Sequence, residues 1–490
     1  MWVNERYIDQ LKKFLSNENE IDHFLEFCQM PLKKSIKINL NKISTRDFIE
    51  ITSKRWWKLT KPDFEFEDKT ETDLFYIDRE NLEIPLGKTF LHQSWFFYIQ
   101  EIAAGMSVKF LDIVENWLVL DISAAPWGKT TQIWDYLMMK NRNKPGLVVS
   151  NDVNKTRILA LAHNISRMWI YNNIITSFNW FSFGKNLGEI FDAVLVDAPC
   201  SGEWTGFKSD FALSAWRIEE IKKIAGTQFQ LLVSAIKATK PWGNIIFSTC
   251  TLNPIENEWN LKKILDFFGS SVELVNIEIK NKSSWIWYYN DEQILNSEDT
   301  QKVARFWPHI QKTWWFFISK IVKKDTTEKL VSKESRLYPK NPFKIDFSNS
   351  LQKKILNYLS QEFGIKTIET AHFFVSTRNQ VYLVSPKFLE IKDLMHIERI
   401  WIPILKTYED GKLLPLHGLG SILGNTASKN FVELDEIISQ KYALWEEISL
   451  DEVSWWKYNS SSEFVVLKRN GYGLGVGKIV NWMIRNKYIK

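Results

Sequence analysis

The chain contains few cysteines and no long apolar segment without charged residues. Three cysteines occur among 490 residues at unrelated spacings, which argues against a disulfide framework and against a zinc site. We therefore expect no bound metal and a reducing, cytoplasmic compartment. No uncharged run of 18 residues occurs, and the first residues lack the basic-then-apolar pattern of a signal peptide. We expect neither a membrane span nor secretion.

Glycine is also scarce, because the chain has 20 glycines and 23 tryptophans. Tryptophan is normally rare and glycine common, so this inversion requires an explanation. Some tryptophans stand where a turn favours glycine, namely in Pro126-Trp127-Gly128, in Pro241-Trp242-Gly243 and after Asn179.

The remaining composition is that of an ordinary globular protein with two to four domains. The net charge of +5 is compatible with a polyanionic partner but is weak support alone. Strands and helices alternate from about residue 95 to 323, which predicts βαβ units and a parallel sheet. The predicted strands are residues 118–122, 147–150, 191–196, 244–247, 272–277 and 316–321, and the predicted helices are 129–139, about 153–168 and 218–240.

Two cysteines follow predicted buried strands. Cys200 lies in Asp197-Ala198-Pro199-Cys200, and Cys250 lies in Ser248-Thr249-Cys250. Ligands bind at the carboxyl ends of strands in an open α/β sheet, so two thiols there, one near the Asp197 carboxylate, suggest covalent chemistry on an electrophilic substrate. Cys28 is instead interpreted as a small buried hydrophobic residue.

The first predicted strand runs into a turn of small residues, 121–131, that opens a helix. Backbone N–H groups at such a turn face the polar end of a ligand. Asp152 ends the next strand, where an acid can accept hydrogen bonds from ribose hydroxyls. An ordinary strand–helix turn with a capping acid explains these features equally well. The glycine spacing before Lys129 excludes a phosphate-binding P-loop.

These motifs together resemble the RNA cytosine-5 methyltransferases of the Sun/nucleolar-protein family. The resemblance extends to residues 98–101, 305–309 and 471–488, the last being similar to the PUA-like tail of the RsmF branch. It implies an α/β fold: a Rossmann-like class I methyltransferase core (93–323) with a small α+β N-terminal RNA-binding-type domain (1–92). A linker (324–342) and a PUA-like α+β C-terminal domain (343–490) are expected to follow.

The resemblance also assigns roles to residues. It implies that Cys250 is the nucleophile, that Cys200 assists product release and that Asp197 is the catalytic aspartate of the motif that contains Cys200. S-adenosyl-L-methionine would be held by Asp152, Asn179 and Asp197 together with the turn Ser123, Ala124, Ala125, Pro126, Trp127, Gly128 and Lys129. Asn179 replaces an acid of the family and carries no charge. The implied partner is RNA, in the first place small-subunit ribosomal RNA, bound by a monomer. Basic segments at both ends, such as 33–40 and 468–478, would contact phosphates.

Several tryptophans stand where the family has glycine: Trp95, Trp117, Trp127, Trp180, Trp204, Trp242, Trp315 and Trp482. We hypothesise that the source organism reads the UGA codon as glycine, so that many of these residues are glycine in the cell. If Trp127 is genuine, we expect weak or absent methyl-donor binding, and the alternative is a non-catalytic RNA-binding assembly factor. A tRNA methyltransferase of the same family is a second alternative. A DNA methyltransferase is disfavoured, because its nucleophile would be the Pro-Cys thiol and Cys250 would have no role.

Overall fold

The positions described by the computed structural model cover most of the chain. They are residues 5–13, 15, 17–63, 72–80, 83–125, 128–140, 144–168, 170–203, 217–280, 283, 286, 288–289, 292–327, 344–366, 372–400, 402–443, 446–453, 455–457 and 462–486. Pro126, Trp127 and Trp204 lie outside the described residues, as does the expected linker from residue 328 onward.

The N-terminal part forms an antiparallel sheet in the order β2-β3-β1-β4. Its strands are β1 (Ser35–Ile38), β2 (Trp57–Thr60), β3 (Leu74–Arg79) and β4 (Phe97–Ile99). The helices are α1 (Glu5–Leu11), α2 (Glu18–Cys28), α3 (Thr45–Ser53), α4 (Phe90–Gln93) and α5 (Ile102–Lys109). Because β4 pairs with β1, this sheet extends beyond the expected domain boundary at residue 92.

Lys37 in β1 corrects the expectation that the whole basic segment 33–40 contacts phosphates. Its side chain is fully buried, with the ammonium 2.5 Å from an Asp135 carboxylate oxygen and 3.2 Å from one of Asp73. A buried ammonium needs such partners, because transfer out of water without them is very costly. Lys37 therefore joins the N-terminal sheet to the core, whereas Lys33 and Lys34 are exposed.

The core contains a mixed sheet whose central strands are parallel. The strands of the core are β5 (Leu118–Asp121), β6 (Leu147–Asn151), β7 (Asn173–Thr176), β8 (Phe191–Asp197), β9 (Thr239–Thr249), β10 (Val272–Val275), β11 (Tyr288–Tyr289), β12 (Glu292–Gln293), β13 (Ala304–Phe306) and β14 (Phe316–Lys323). Strands β11 and β12 form a separate two-stranded sheet. The helices are α6 (Gly128–Lys140), α7 (Lys155–Arg167), α8 (Ser182–Asn186), α9 (Ile218–Ala238), α10 (Glu258–Phe268), α11 (Ser297–Lys302) and α12 (Pro308–Gln311).

The C-terminal part adds two sheets and several helices. The strands are β15 (Phe373–Thr377), β16 (Gln380–Val384), β17 (Arg399–Ile400), β18 (Pro403–Thr407), β19 (Leu413–Pro415), β20 (Phe431–Glu433), β21 (Ile448–Ser449), β22 (Trp455–Lys457), β23 (Phe464–Arg469), β24 (Tyr472–Val480) and β25 (Met483–Asn486). The helices are α13 (Asn349–Phe363), α14 (Lys387–Ile391), α15 (His417–Leu423) and α16 (Glu436–Ala443). The sheet orders are β15-β16-β18-β19 and β21-β25-β24-β23-β20-β22.

The strand order of the core sheet is β10-β14-β9-β8-β5-β6-β7-β17, with β13 on β14. Strands β9, β8, β5, β6 and β7 are parallel, whereas β10, β14 and β17 run antiparallel to their neighbours. The predicted α/β, Rossmann-like fold class is therefore confirmed. Strand order reverses at β5, whose successors lie on opposite sides, and such a switch point is where ligands bind in open α/β sheets. In the part of the chain that the structure describes, no helix is long and apolar enough to cross a bilayer.

Among the tryptophans that the structure describes, four adopt the left-handed backbone conformation that glycine favours. Trp56, Trp95, Trp242 and Trp482 have φ angles between 58° and 65°. Trp56, Trp242 and Trp482 are also strongly exposed. A bulky residue with φ in this range is uncommon, because its Cβ approaches the following carbonyl. The hypothesis that glycine occupies Trp95, Trp242 and Trp482 is thereby supported for these positions.

The other tryptophans named in the hypothesis do not share that backbone conformation. Trp117, Trp180 and Trp315 have φ outside the left-handed region. Trp315 is fully buried and stacks on Phe24 with ring centroids 5.6 Å apart. For these three positions the backbone provides no reason for glycine.

Candidate active site

The two candidate catalytic cysteines lie at the same edge of the sheet because β8 and β9 are parallel neighbours. Their register pairs Asp197 with Ser248, and the Ser248 hydroxyl donates a 3.0 Å hydrogen bond to Asp197 Oδ1. Cys200 follows three residues after Asp197, and Cys250 follows two residues after Ser248. Both cysteines are free and partly buried, and the Cys200 thiol is hydrogen-bonded with that of Cys250. The structure thus brings together the pair that the sequence placed 50 residues apart.

Opposing effects act on the Cys250 thiol. The hydrogen bond with Cys200, burial and the negative charge of Asp197 raise its pKa well above the ordinary value, while the Lys129 ammonium lowers it. Lys129 forms an ion pair with Asp197 and lies 4.8 Å from the centroid of the Phe316 ring. Because a thiolate is the reactive species, Lys129 is the described group that favours activation of Cys250.

Lys129 was predicted only as part of the cofactor turn, and the structure places its charge beside the thiols. This position follows from helix α6, which begins at Gly128 and directs its first turn toward the end of β8. Pairing with Lys129 could not be read from the chain, because Asp197 lies 68 residues further along.

The turn after β5 presents buried polar atoms that lack a partner in the part of the chain that the structure describes. Asp121 Oδ2 accepts a 2.6 Å hydrogen bond from Thr130, but Asp121 Oδ1 and Ser123 Oγ have no hydrogen-bond partner among the described residues. Burial raises the pKa of Asp121 to about 7, and the charge of Asp197 adds to this effect. Buried polar groups are usually paired, so orphaned atoms at a strand end fit a site for a polar ligand.

The remaining residues of this turn lie close to the next strand. Ala124 donates its backbone N–H to Asn151 O at 2.8 Å, and the Ala125 carbonyl accepts a hydrogen bond from Arg157. Gly128 begins α6, and its carbonyl accepts a 2.8 Å hydrogen bond from Thr131 Oγ1. The described residues fit a cofactor turn, although Pro126 and Trp127 lie outside them.

Asp152 and Asn179 lie at the ends of the two neighbouring strands, β6 and β7. Asp152 is fully buried, its Oδ1 accepts a 2.9 Å hydrogen bond from the N–H of Asn154, and its Oδ2 lies 3.4 Å from Arg157 Nη1. Asn179 lines an open cavity of about 410 Å³ together with Val153 and Trp180. Because β6 and β7 are parallel neighbours, both residues lie at the same edge of the sheet, but Asp152 is not among the residues that line the cavity.

Further polar residues hold the two cysteine turns, and sequence reasoning did not identify their role. Arg305 donates to the Leu252 carbonyl and pairs with the buried Glu258. Glu203 and Glu256 are buried between the two turns. Arg305 lies within a segment of the family resemblance and the three glutamates follow the cysteine motifs, but contacts between residues so distant in sequence could not be predicted from the chain.

Lys468 corrects part of the expectation that the C-terminal basic segment 468–478 contacts phosphates. Lys468 is buried and donates to the carbonyl oxygens of Asn425 and Ala427, at 3.3 and 2.7 Å. Arg469 lies 3.5 Å from Glu436, and Lys478 lies 3.3 Å from Glu463. Lys468 therefore stabilises the fold, whereas a phosphate contact of the partly exposed Lys478 stays a prediction.

Comparison with known proteins points to one family. Residues 108–322 match the family described as 16S rRNA methyltransferase RsmB/F. The chain is 30% identical over 488 residues to the ribosomal RNA small subunit methyltransferase F of Vibrio cholerae serotype O1 (strain M66-2), covering 98% of this chain and 96% of that protein. It is 29% identical over 491 residues to the protein of the same name from Aeromonas salmonicida (strain A449), covering 99% and 96%.

Solved structures agree with the fold. A methyltransferase homologue from Pyrococcus horikoshii has a TM-score of 0.56 at 28% identity, covering 65% of this chain and 95% of that one. NSun6 from Pyrococcus horikoshii, solved with SFG, has a TM-score of 0.50 at 21% identity, covering 64% and 96%. The likeness to NSun6 supports the fold alone.

Proposed function

Because the chain belongs to the 16S rRNA methyltransferase RsmB/F family, we propose that it methylates carbon 5 of a cytosine in small-subunit ribosomal RNA through a covalent bond to Cys250. Membership makes it an rRNA methyltransferase that uses S-adenosyl-L-methionine. The atom methylated and the cysteine mechanism are the proposal. The observation that carries it is the contact between the thiols of Cys200 and Cys250 beside the Lys129–Asp197 pair.

The proposal follows from the chemistry of the pyrimidine ring. Carbon 5 of cytosine is not nucleophilic, but addition of the Cys250 thiolate to carbon 6 turns carbon 5 into an enamine carbon. That carbon attacks an electrophilic methyl group, a base removes the carbon 5 proton, and the carbon–sulfur bond then breaks to release the thiolate. The target base must be unstacked or flipped to reach these groups.

In this proposal, each step of the reaction depends on particular residues of the chain. Lys129 would favour the Cys250 thiolate, and Asp197 would hydrogen-bond the ring nitrogen that gains electron density. Cys200 contacts Cys250 and assists its departure from the methylated base. S-adenosyl-L-methionine, when bound, supplies the methyl group. Asp152 would hold its ribose hydroxyls, while Asn179 and the turn from Ser123 to Lys129 would hold the rest of the cofactor.

Single substitutions of the cysteines test this assignment. Cys250→Ala should abolish methyl transfer from labelled S-adenosyl-L-methionine to 16S rRNA. Cys200→Ala should form the RNA adduct but release it slowly, so that a denaturation-resistant protein–RNA complex accumulates. Cys28→Ala is the control, because Cys28 is buried in a separate cluster with Phe24 and Trp307. Full activity in Cys250→Ala, together with loss of activity without an adduct in Cys200→Ala, would reverse the assignment.

The same assay separates the alternatives. Bisulfite mapping of rRNA and tRNA from cells lacking the gene identifies the nucleotide that loses its methyl group, and a tRNA position would replace the ribosomal substrate. Trp180 lines the cavity beside Asn179, so its indole lies where part of the cofactor is expected. Calorimetric titration with S-adenosyl-L-methionine therefore distinguishes an enzyme from a non-catalytic assembly factor, which need not bind the cofactor.

A further inference from the structure

Two buried glutamates connect the turns that carry the cysteines, and each reaches from one turn to the other. Glu203, three residues after Cys200, accepts hydrogen bonds at Oε2 from Thr251 Oγ1 at 2.8 Å and from the N–H of Leu252 at 3.0 Å. Glu256, six residues after Cys250, accepts a 2.9 Å hydrogen bond at Oε2 from the N–H of Ser201. The residues immediately after each cysteine are therefore held by a carboxylate from the opposite turn.

Additional hydrogen bonds stiffen this arrangement. Ser201 Oγ donates to Thr251 Oγ1 at 3.3 Å, so the two turns are also joined directly. Gln228 of α9 donates to Glu256 Oε2 at 2.9 Å and to the Pro199 carbonyl at 2.8 Å. Asn260 of α10 donates to Gln228 Oε1 at 3.0 Å. Hydrogen bonds in such a buried network strengthen one another and select one geometry.

The burial and charge of the glutamates indicate that their placement serves more than chain packing. Glu203 is 3% exposed and Glu256 is fully buried. Burial raises the pKa of Glu256 to about 7, and the charge of Glu203 adds to the rise. Within the described ranges Glu256 Oε1 has no hydrogen-bond partner, which leaves room for a proton on that oxygen. Two buried carboxyl groups are costly in a structural role, because apolar residues of similar size pack without desolvation of charge.

We propose that Glu203 and Glu256 are positioning residues that keep the two turns carrying Cys200 and Cys250 at one separation while the bond to RNA forms and breaks. This inference rests on the proposed function. The sulfur of Cys250 must leave Cys200 to attack the base and must return when the base departs. When hydrogen bonds hold the two turns together, the Cys250 side chain can make this small movement without a change in the backbone. Release of the adduct is the step that depends most on this movement.

Glu203 provides a matched pair of variants. Glu203→Ala removes the acceptor of Thr251 and Leu252, whereas Glu203→Gln retains an acceptor oxygen of the same reach. We expect kcat of Glu203→Ala to fall about tenfold or more, the factor that corresponds to about 1.4 kcal/mol. The KM values for RNA and S-adenosyl-L-methionine should change less than about twofold, because no contact of Glu203 with either is proposed. Glu203→Gln should recover most of kcat.

A second readout follows the adduct. In Glu203→Ala the denaturation-resistant protein–RNA complex should persist during turnover, since departure of Cys250 is slowed, and Glu203→Gln should clear it. Glu409→Ala, an exposed acid of the C-terminal part, is the control for loss of a carboxylate. If Glu203→Ala unfolds, Glu256→Gln and Glu256→Ala make the same comparison at the opposite turn.

Three results would overturn the proposal that Glu203 and Glu256 are positioning residues. Wild-type kcat and adduct lifetime in the alanine variants would overturn the proposal, as would equal losses in the glutamine and alanine variants, since charge rather than position would then matter. An increase in KM with unchanged kcat would also overturn it. Failure of the proposed function is recognised separately, because Cys250→Ala would then retain methyl transfer.

Discussion

The stabilities of Trp242→Gly and Trp242→Ala, compared with each other, test whether the backbone at position 242 has a conformation that favours glycine. Trp242 has φ of 65° in β9, and its side chain is 72% exposed. Both variants lose the same small amount of indole packing, so their difference in stability isolates the backbone. Trp242→Ala keeps the cost of about 1–2 kcal/mol that a residue with a Cβ incurs in the left-handed conformation. Trp242→Gly avoids this cost but loses roughly 0.5–1 kcal/mol of stability, because glycine gives the unfolded chain more conformational freedom.

We expect Trp242→Gly to be more stable than Trp242→Ala by about 0.5–1 kcal/mol. Leu159 in the middle of helix α7 is the control, because its side chain is 59% exposed in a helical backbone. There the sign should invert, with Leu159→Ala more stable than Leu159→Gly by about 1 kcal/mol. The denaturant midpoint of the unfolding transition that includes the core sheet measures both pairs. Equal or greater stability of Trp242→Ala would refute the reasoning.

The remaining predictions concern codon use, the cofactor and the nucleophile. The intact mass of natively expressed protein should be lower than that of the printed sequence by whole multiples of the tryptophan–glycine difference, and a mass equal to that of the printed sequence would exclude recoding. Asp152→Asn should weaken S-adenosyl-L-methionine binding about tenfold in a calorimetric titration, because a hydrogen bond to a charged group contributes about 1.5 kcal/mol or more; unchanged affinity would remove Asp152 from the site. The rate of adduct formation should rise with pH between 7 and 9, about tenfold per unit, because the hydrogen bond with Cys200 and burial raise the pKa of Cys250 and keep its thiol protonated at neutral pH. A flat profile over this range would contradict that assignment.

The sequence predicts the core well because burial in a parallel sheet leaves a local signature. The apolar runs at 118–122 and 191–196 became β5 and β8, and the strand predicted at 244–247 is the centre of the longer β9. Strand β7 (Asn173–Thr176) was missed because only two of its residues, Ile174 and Ile175, are apolar, which leaves too weak a hydrophobic signal. Strand β17 could not be foreseen, because its pairing with β7 joins residues more than 200 positions apart.

Some assignments of single residues needed contacts that only the folded chain provides. Cys28 was interpreted as a buried hydrophobic residue, which the structure confirms, and burial raises the pKa of its thiol to about 12. Lys37 was interpreted as part of a basic RNA-binding segment, but its partners Asp73 and Asp135 lie 36 and 98 residues away. The expected domain boundaries remain proposals, since β4 and β17 each pair across one of them.

Isolation of the RNA adduct tests the central claim most directly. Cys200→Ala is incubated with 16S rRNA and S-adenosyl-L-methionine, the complex is denatured and digested, and mass spectrometry locates the modified peptide. We predict a methylated cytosine attached to Cys250 and no complex in the variant that also carries Cys250→Ala. A complex that survives loss of Cys250, or methylated rRNA formed by Cys250→Ala alone, would contradict the account.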